Sequence, residues 1–320
     1  MRPSITDWQG TRLDNKVLVV GAAGFLGTAI CRGLVAMGKA VITMGRHSGP
    51  QATHPQPSLA KGVRSDSVPR MIASEIGSVI YLASATTPGS SAGQPTLEVN
   101  ENLAPLADLL EAMGESAERH LIYFSSAGAL YGTSPDVASK ESDPPMPRSY
   151  HGAAKVAAEQ FIRAWTVQTG AKATILRPSN VYGPGQAERL GFGIIPTALG
   201  SILRDEPLTI WGSGEAVRDY LYIDDLVSLT LSAMDNDIHS GCRILNAAGG
   251  HAVSINELML LVEKITGRRL QRIYSQGRSI DMDRVLVDIQ KAEDMFGWQP
   301  IVSLEEGLER TWNWYVRTHP

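Results

Sequence analysis

Three groups of residues in this chain have the types and spacing to do chemistry. The first is glycine: Gly21, Gly24 and Gly27 recur at every third position, directly after the apolar run VLVV and at the mouth of the helical-period stretch TAICRGLVAMG. Glycines placed there permit a sharp turn, let backbone amides approach a pyrophosphate, and let the following helix lie close against the strand. The amides of Phe25 and Leu26 open that helix, whose N-terminus favours negative charge. A second strand, AVITM at 40–44, follows at the distance expected of a βαβ unit, so a bound dinucleotide is expected. A chain that selects NAD usually carries an acid at the end of that strand for the adenosine ribose. Here the end reads Met44, Gly45, Arg46, His47, and a guanidinium with no carboxylate beside it suits a 2′-phosphate, which weakly favours NADP over NAD.

The second group lies in SYHGAAKVAAEQF. On a helix His151 sits about 40° from Lys155, whereas Tyr150 is displaced by about 140°. Imidazole takes and gives protons near neutrality, and a cationic Lys155 beside it lowers its affinity for a proton. The third group is FSSAGALYG, which closes a strand with Ser125, Ser126 and Ala127. The seven histidines show no HExxH or other ligand spacing, so no metal site is expected.

The elements that must position these groups can be read from periodicity. Candidate strands lie at 62–65, 78–83, 120–125 and 173–176, with helical stretches near 68–75, 96–113 and 152–169. Such alternation predicts an α/β fold, a doubly wound parallel (Rossmann) sheet with helices on both faces. After about residue 178 the texture changes to short elements separated by Gly and Pro, which predicts a smaller C-terminal α/β substrate lobe. The expected division is 1–178 for the dinucleotide-binding domain and 179–320 mainly for the lobe. A return segment near 216–245 makes the boundary interleaved.

Of the 320 residues 43% are hydrophobic and 19% charged, with no run of about 18 apolar residues, so neither disorder nor a membrane span is expected. A net charge of −4 gives no general drive toward nucleic acid or anionic lipid. Cys31 and Cys242 are too few for a disulfide framework, and MRPSITDWQG lacks an apolar signal region, so the cytoplasm is the expected compartment.

Six motifs in order, GAAGFLG, FSSAGALYG, SYHGAAKVAAEQF, RPSNVYGPGQ, WGSGEAVRDYLYIDDL and RSIDMDRVLVDIQKAEDMFGWQP, span residues 16 to 318. Together they resemble the extended short-chain dehydrogenase/reductases, and within them the nucleotide-sugar epimerases, dehydratases and 4-ketoreductases. The resemblance implies a nicotinamide cofactor and hydride transfer at C4 of a UDP- or dTDP-hexose, in the supply of polysaccharide precursors. It makes Lys155 the lysine that contacts the nicotinamide ribose, and puts His151 where the family has tyrosine, which leaves three readings open: His151 as a working acid/base, Tyr150 or a water relay in that role, and a catalytically impaired or altered site. The family's Ser/Thr position falls on Ala127, with Ser126 the neighbouring hydroxyl. The resemblance further implies that Asp66, Ala83, Ser84, Ala85 and Ser125 line the cofactor, and that Asn180, Arg218 and Arg278 bind the nucleotide sugar. Asn102 matches a buried structural asparagine. A homodimer through the helices at 96–113 and 152–169 is also implied.

Overall fold

The computed structural model describes residues 16–45, 76–115, 118–132, 137–189, 193–236, 238, 241–277 and 281–319. Arg46, Asp66, Arg278, the strand expected at 62–65 and the helix expected at 68–75 lie outside the described residues.

The first five strands are β1 (Lys16–Val20), β2 (Ala40–Met44), β3 (Ser78–Tyr81), β4 (His120–Phe124) and β5 (Lys172–Pro178). They are followed by β6 (Asn180–Tyr182), β7 (Leu208–Trp211), β8 (Val217–Tyr222) and β9 (Gly241–Ala247), then β10 (Ala252–Ser254), β11 (Arg272–Ser275) and β12 (Arg284–Val285). Among the described residues the main sheet runs β2-β1-β3-β4-β5-β9, every pair parallel. The chain steps from β1 to β2 on one side and then to β3 on the other. The crevice at the carboxyl ends of β1 and β3 is therefore a topological switch point, where α/β sheets bind ligands.

Strands buried on both faces need apolar residues at consecutive positions, and KVLVV and HLIYF supply them. Alternate side chains feed two separate cores. Leu18, Val20, Leu121 and Tyr123 face α3 (Ala104–Met113) and α5 (Tyr150–Thr169). Val17, Val19, Ile122 and Phe124 face α1 (Phe25–Ala36) and α7 (Ile223–Asp235). This two-sided covering is the doubly wound fold that the alternation predicts. The short α2 (Pro95–Glu98) leads into α3 through a π-helical turn, Val99–Leu103, and α4 is the single turn Ala127–Leu130.

A third core gathers α6 (Ile194–Arg204), α8 (Ile255–Thr266) and α10 (Leu304–Thr318) around β7 and β8, with the shorter α9 (Gln290–Phe296) packed back toward the main sheet. Within 216–245, β8 belongs to the smaller sheet with β6, β10 and β12, whereas β9 lies beside β5. Asp219 ties these parts together, since its carboxylate accepts from Ser179 Oγ at 2.7 Å and from Gly249 N–H at 2.7 Å. No helix among the described residues is long and apolar enough to cross a membrane.

Candidate active site

The glycine turn sits where β1 ends. Gly21 N–H donates to Met44 O at 2.8 Å, and Leu82 N–H donates to Val20 O at 2.9 Å, so the turn lies between the ends of β2 and β3. Phe25 and Leu26 pack their side chains into neighbouring cores, leaving their backbone amides at the helix N-terminus. The glycines differ in what requires them. At Gly27 a methyl group would lie 2.3 Å from Gly21 O and 2.7 Å from Ala22 Cα, so close packing of helix on turn excludes any side chain. Gly24 has ordinary backbone angles, φ −76° and ψ 172°, and a methyl there would meet only Gly21 O at 3.4 Å. Internal packing accounts for Gly27 but not for Gly24, whose bare outer face leaves the N-cap open to a ligand. Beside it, Ala83, Ser84 and Ala85 are partly exposed after β3. A pyrophosphate-bearing dinucleotide fits this cradle.

Helix α5 begins at Tyr150, so His151 lies in its first turn and Lys155 in the next. Ser149 caps it, accepting from Gly152 N–H at 3.1 Å. Gly152 permits the helix to touch α4, because a methyl there would come within 2.2 Å of Ala129 O. With that contact made, His151 and Lys155 turn inward together and both are buried, while Tyr150 is 47% exposed at the helix start. Lys155 Nζ donates to Phe124 O at 2.8 Å and lies 4.9 Å from the Tyr123 ring centroid. Burial lowers the Lys155 pKa to about 8 against the pull of Glu98 and Glu159. Burial and then Lys155 lower that of His151 to about 4 against Glu98, so the imidazole is neutral at pH 7.

Ala127 is fully buried against Tyr131 and Ala248. Ser126 is half-buried ahead of α4, and Ser125 donates to Glu159 Oε1 at 2.6 Å. Glu159 also holds Arg177 at 2.6 Å, and Arg177 reaches Tyr131 Oη at 2.7 Å. On the smaller sheet, Asn180 is exposed and donates to Asp219 O at 2.9 Å, and Arg218 is partly buried beside it in sequence.

Two residues that the motifs do not reveal join this site. Glu98 is 2% exposed, and its Oε1 lies 3.5 Å from His151 Nδ1. Thr86 donates to Glu98 Oε1 at 2.7 Å and stands 3.0 Å from the same His151 nitrogen. Asn102, half-buried, donates to Glu98 Oε2 at 2.6 Å and to Thr86 Oγ1 at 2.8 Å. Burial raises the Glu98 carboxyl, but hydrogen bonds from Ser91, Thr86 and Asn102 and the nearby His151 hold it below the ordinary value, hence ionised at neutral pH. Glu98, Asn102, Tyr123, His151 and Lys155 line one small cavity. An acid four residues before Asn102 on a helix was the available signal.

Residues 17–248 match the NAD dependent epimerase/dehydratase family. The chain belongs to that family. A putative UDP-glucose 4-epimerase of Methanocaldococcus jannaschii is 29% identical to this family member over 305 residues, 93% of this chain and 97% of that one. The structure of a Thermotoga maritima UDP-glucose 4-epimerase with UDP-glucose has a TM-score of 0.85 at 30% identity, covering 95% of this chain and 100% of the other. That of a Thermus thermophilus UDP-glucose 4-epimerase in complex with NAD has a TM-score of 0.86 at 27% identity, covering 94% and 99%. This family member is thus an extended short-chain dehydrogenase/reductase along nearly its whole length.

Proposed function

We propose that this epimerase/dehydratase is an NAD(P)-dependent epimerase or 4-ketoreductase acting at C4 of a UDP- or dTDP-hexose. The observation that carries the reading is the joint burial of His151 and Lys155 on one face of α5, against the carboxyl end of β4. Nicotinamide dinucleotide supplies a hydride acceptor or donor when bound. Gly24, the amides of Phe25 and Leu26, and Ala83 to Ala85 are the groups that would hold it, with Arg46 meeting a 2′-phosphate and Asp66 the adenine. Lys155 holds positive charge beside the ribose, and His151 moves the proton of the sugar hydroxyl.

Asn180, Arg218 and Arg278 are assigned to the nucleotide-sugar diphosphate, for which a guanidinium fork is the fitting donor. Homodimerisation through the helices at 96–113 and 152–169 would cover Phe161 and Val167, which are 54% and 84% exposed. The two structural relatives are UDP-glucose 4-epimerases, which supports a UDP-sugar as first choice. The test is incubation with UDP- and dTDP-hexoses and either dinucleotide, reading reduced-nicotinamide absorbance and the sugar products by NMR. Conversion of one sugar at C4 is the expected result, and no conversion across the panel refutes the reading.

A further inference from the structure

The polar contacts around His151 determine which of its ring nitrogens carries the proton. Ala85 N–H donates to Asn102 Oδ1 at 2.9 Å, and a backbone amide can only donate, so the oxygen of that carboxamide is fixed. Its NH2 group must then be the side facing Glu98 and Thr86. An ionised carboxylate only accepts, so the hydrogen in the 2.7 Å contact between Thr86 and Glu98 belongs to Thr86. A hydroxyl has one hydrogen. With it directed at Glu98, Thr86 Oγ1 can only accept from His151, and the contact of 3.0 Å requires a proton on His151 Nδ1. Glu98 Oε1, at 3.5 Å from the same nitrogen, adds a second acceptor on that side. The other nitrogen, Nε2, makes no hydrogen bond with a described residue and is not sealed from solvent.

We propose that Glu98, Thr86 and Asn102 are positioning residues that hold His151 as the Nδ1–H tautomer, so that Nε2 is the proton acceptor for the sugar hydroxyl. This inference rests on the reaction proposed above. In the oxidising direction the hydroxyl O–H bond breaks and an N–H bond forms at Nε2, and the pair left on oxygen becomes the second C4–O bond as the C4–H bond breaks and its hydride leaves to the nicotinamide that would be bound. The resulting imidazolium carries protons on both nitrogens, with its Nδ1–H turned to Thr86 and the Glu98 carboxylate. The proton returns by the same path in the reducing direction. A carboxylate that orients an imidazole and stabilises its cation follows the logic of hydrolase triads, here at the position where the resemblance implies a tyrosine.

The test reads the tautomer directly. Ring nitrogens of histidine-15N-labelled protein are observed at pH 7 without added ligand, with His151 assigned from its loss in His151→Gln. The expected spectrum has protonated Nδ1 and bare Nε2 in the wild type. In Glu98→Gln the new carboxamide can donate to Thr86, releasing the Thr86 hydrogen and abolishing the single tautomer. An Nε2–H tautomer in the wild type, or an unchanged one in Glu98→Gln, overturns the proposal. Thr86→Val should lose the tautomer and Thr86→Ser, which keeps the hydroxyl, should restore it. With a turned-over sugar in hand, Glu98→Gln should lower kcat by about 100-fold, with KM changed less than about threefold, in the range for general acid–base groups. Retention of kcat in Glu98→Gln or in His151→Gln also overturns the proposal. The expected tautomers without turnover of any sugar by the wild type would support the positioning network and refute the substrate reading.

Discussion

His151 couples proton chemistry to folding. Its pKa is about 4 in the folded protein against 6.5 ordinarily, because burial and Lys155 outweigh Glu98. Between those values the unfolded chain binds a proton that the folded chain does not, so stability falls as pH drops through this window. One pH unit there is worth about 1.4 kcal/mol. Urea unfolding at pH 7 and pH 5 should therefore show the wild type losing about 2 kcal/mol more than His151→Gln. Equal losses would mean that His151 titrates normally. At this scale the sequence was informative where chemistry is local: Lys155 and His151 are four residues apart on one helix and share a face by geometry alone. Glu98 was silent, because it meets His151 across 53 positions of chain and only through the packing of α2 on α5.

At the scale of elements, the glycine turn and the helix after it were legible because glycine spacing and apolar period both lie within one βαβ unit. The different demands on the glycines give a paired prediction. Gly27→Ala forces a methyl against Gly21 O at 2.3 Å and should cost about 1–3 kcal/mol or more in urea unfolding. Gly24→Ala adds a methyl in an allowed conformation and should change stability by less than about 1 kcal/mol. Dinucleotide affinity by titration calorimetry should nevertheless fall at least about 10-fold, or about 1.4 kcal/mol, because that methyl covers the cradle. Unaltered affinity in Gly24→Ala would show that the open N-cap is not the phosphate site. Strands β6, β10 and β12, two or three residues each, were not legible: so few positions carry no period.

Across the described residues, the most deeply buried ion pair is that of Glu159 and Arg177, 1% and 3% exposed, beside the main sheet. They join α5 to β5, and through Ser125 and Tyr131 they reach the end of β4, α4 and, by Tyr131 Oη to Asn246 at 2.8 Å, β9. Removing one partner leaves the other charge unpaired, so Arg177→Met should destabilise by about 3–5 kcal/mol. Glu159→Leu combined with Arg177→Met should recover at least half of that in thermal or urea unfolding. If the double variant is no more stable than Arg177→Met, the carboxylate is held by groups other than the arginine. Neither residue stood out in the sequence, since an acid inside a helix and an arginine in RPSN read as ordinary surface charge. The two-sided sheet did stand out, because unbroken apolar strands alternating with amphipathic helices have few other ways to bury themselves.

The π-helical turn between α2 and α3 closes on a bond from Ala104 N–H to Val99 O, five residues apart where an α-turn spans four. Such a turn holds one residue more than the helix around it. Shortening it by a single position would return the segment to regular α-helix and swing everything ahead of it by about 100°. Asn102, next to α3, would keep its place, and Glu98 would be carried away from His151. The link between Glu98 and His151 thus depends on the length of this turn: loss of one residue from it would break the link with no substitution at either partner.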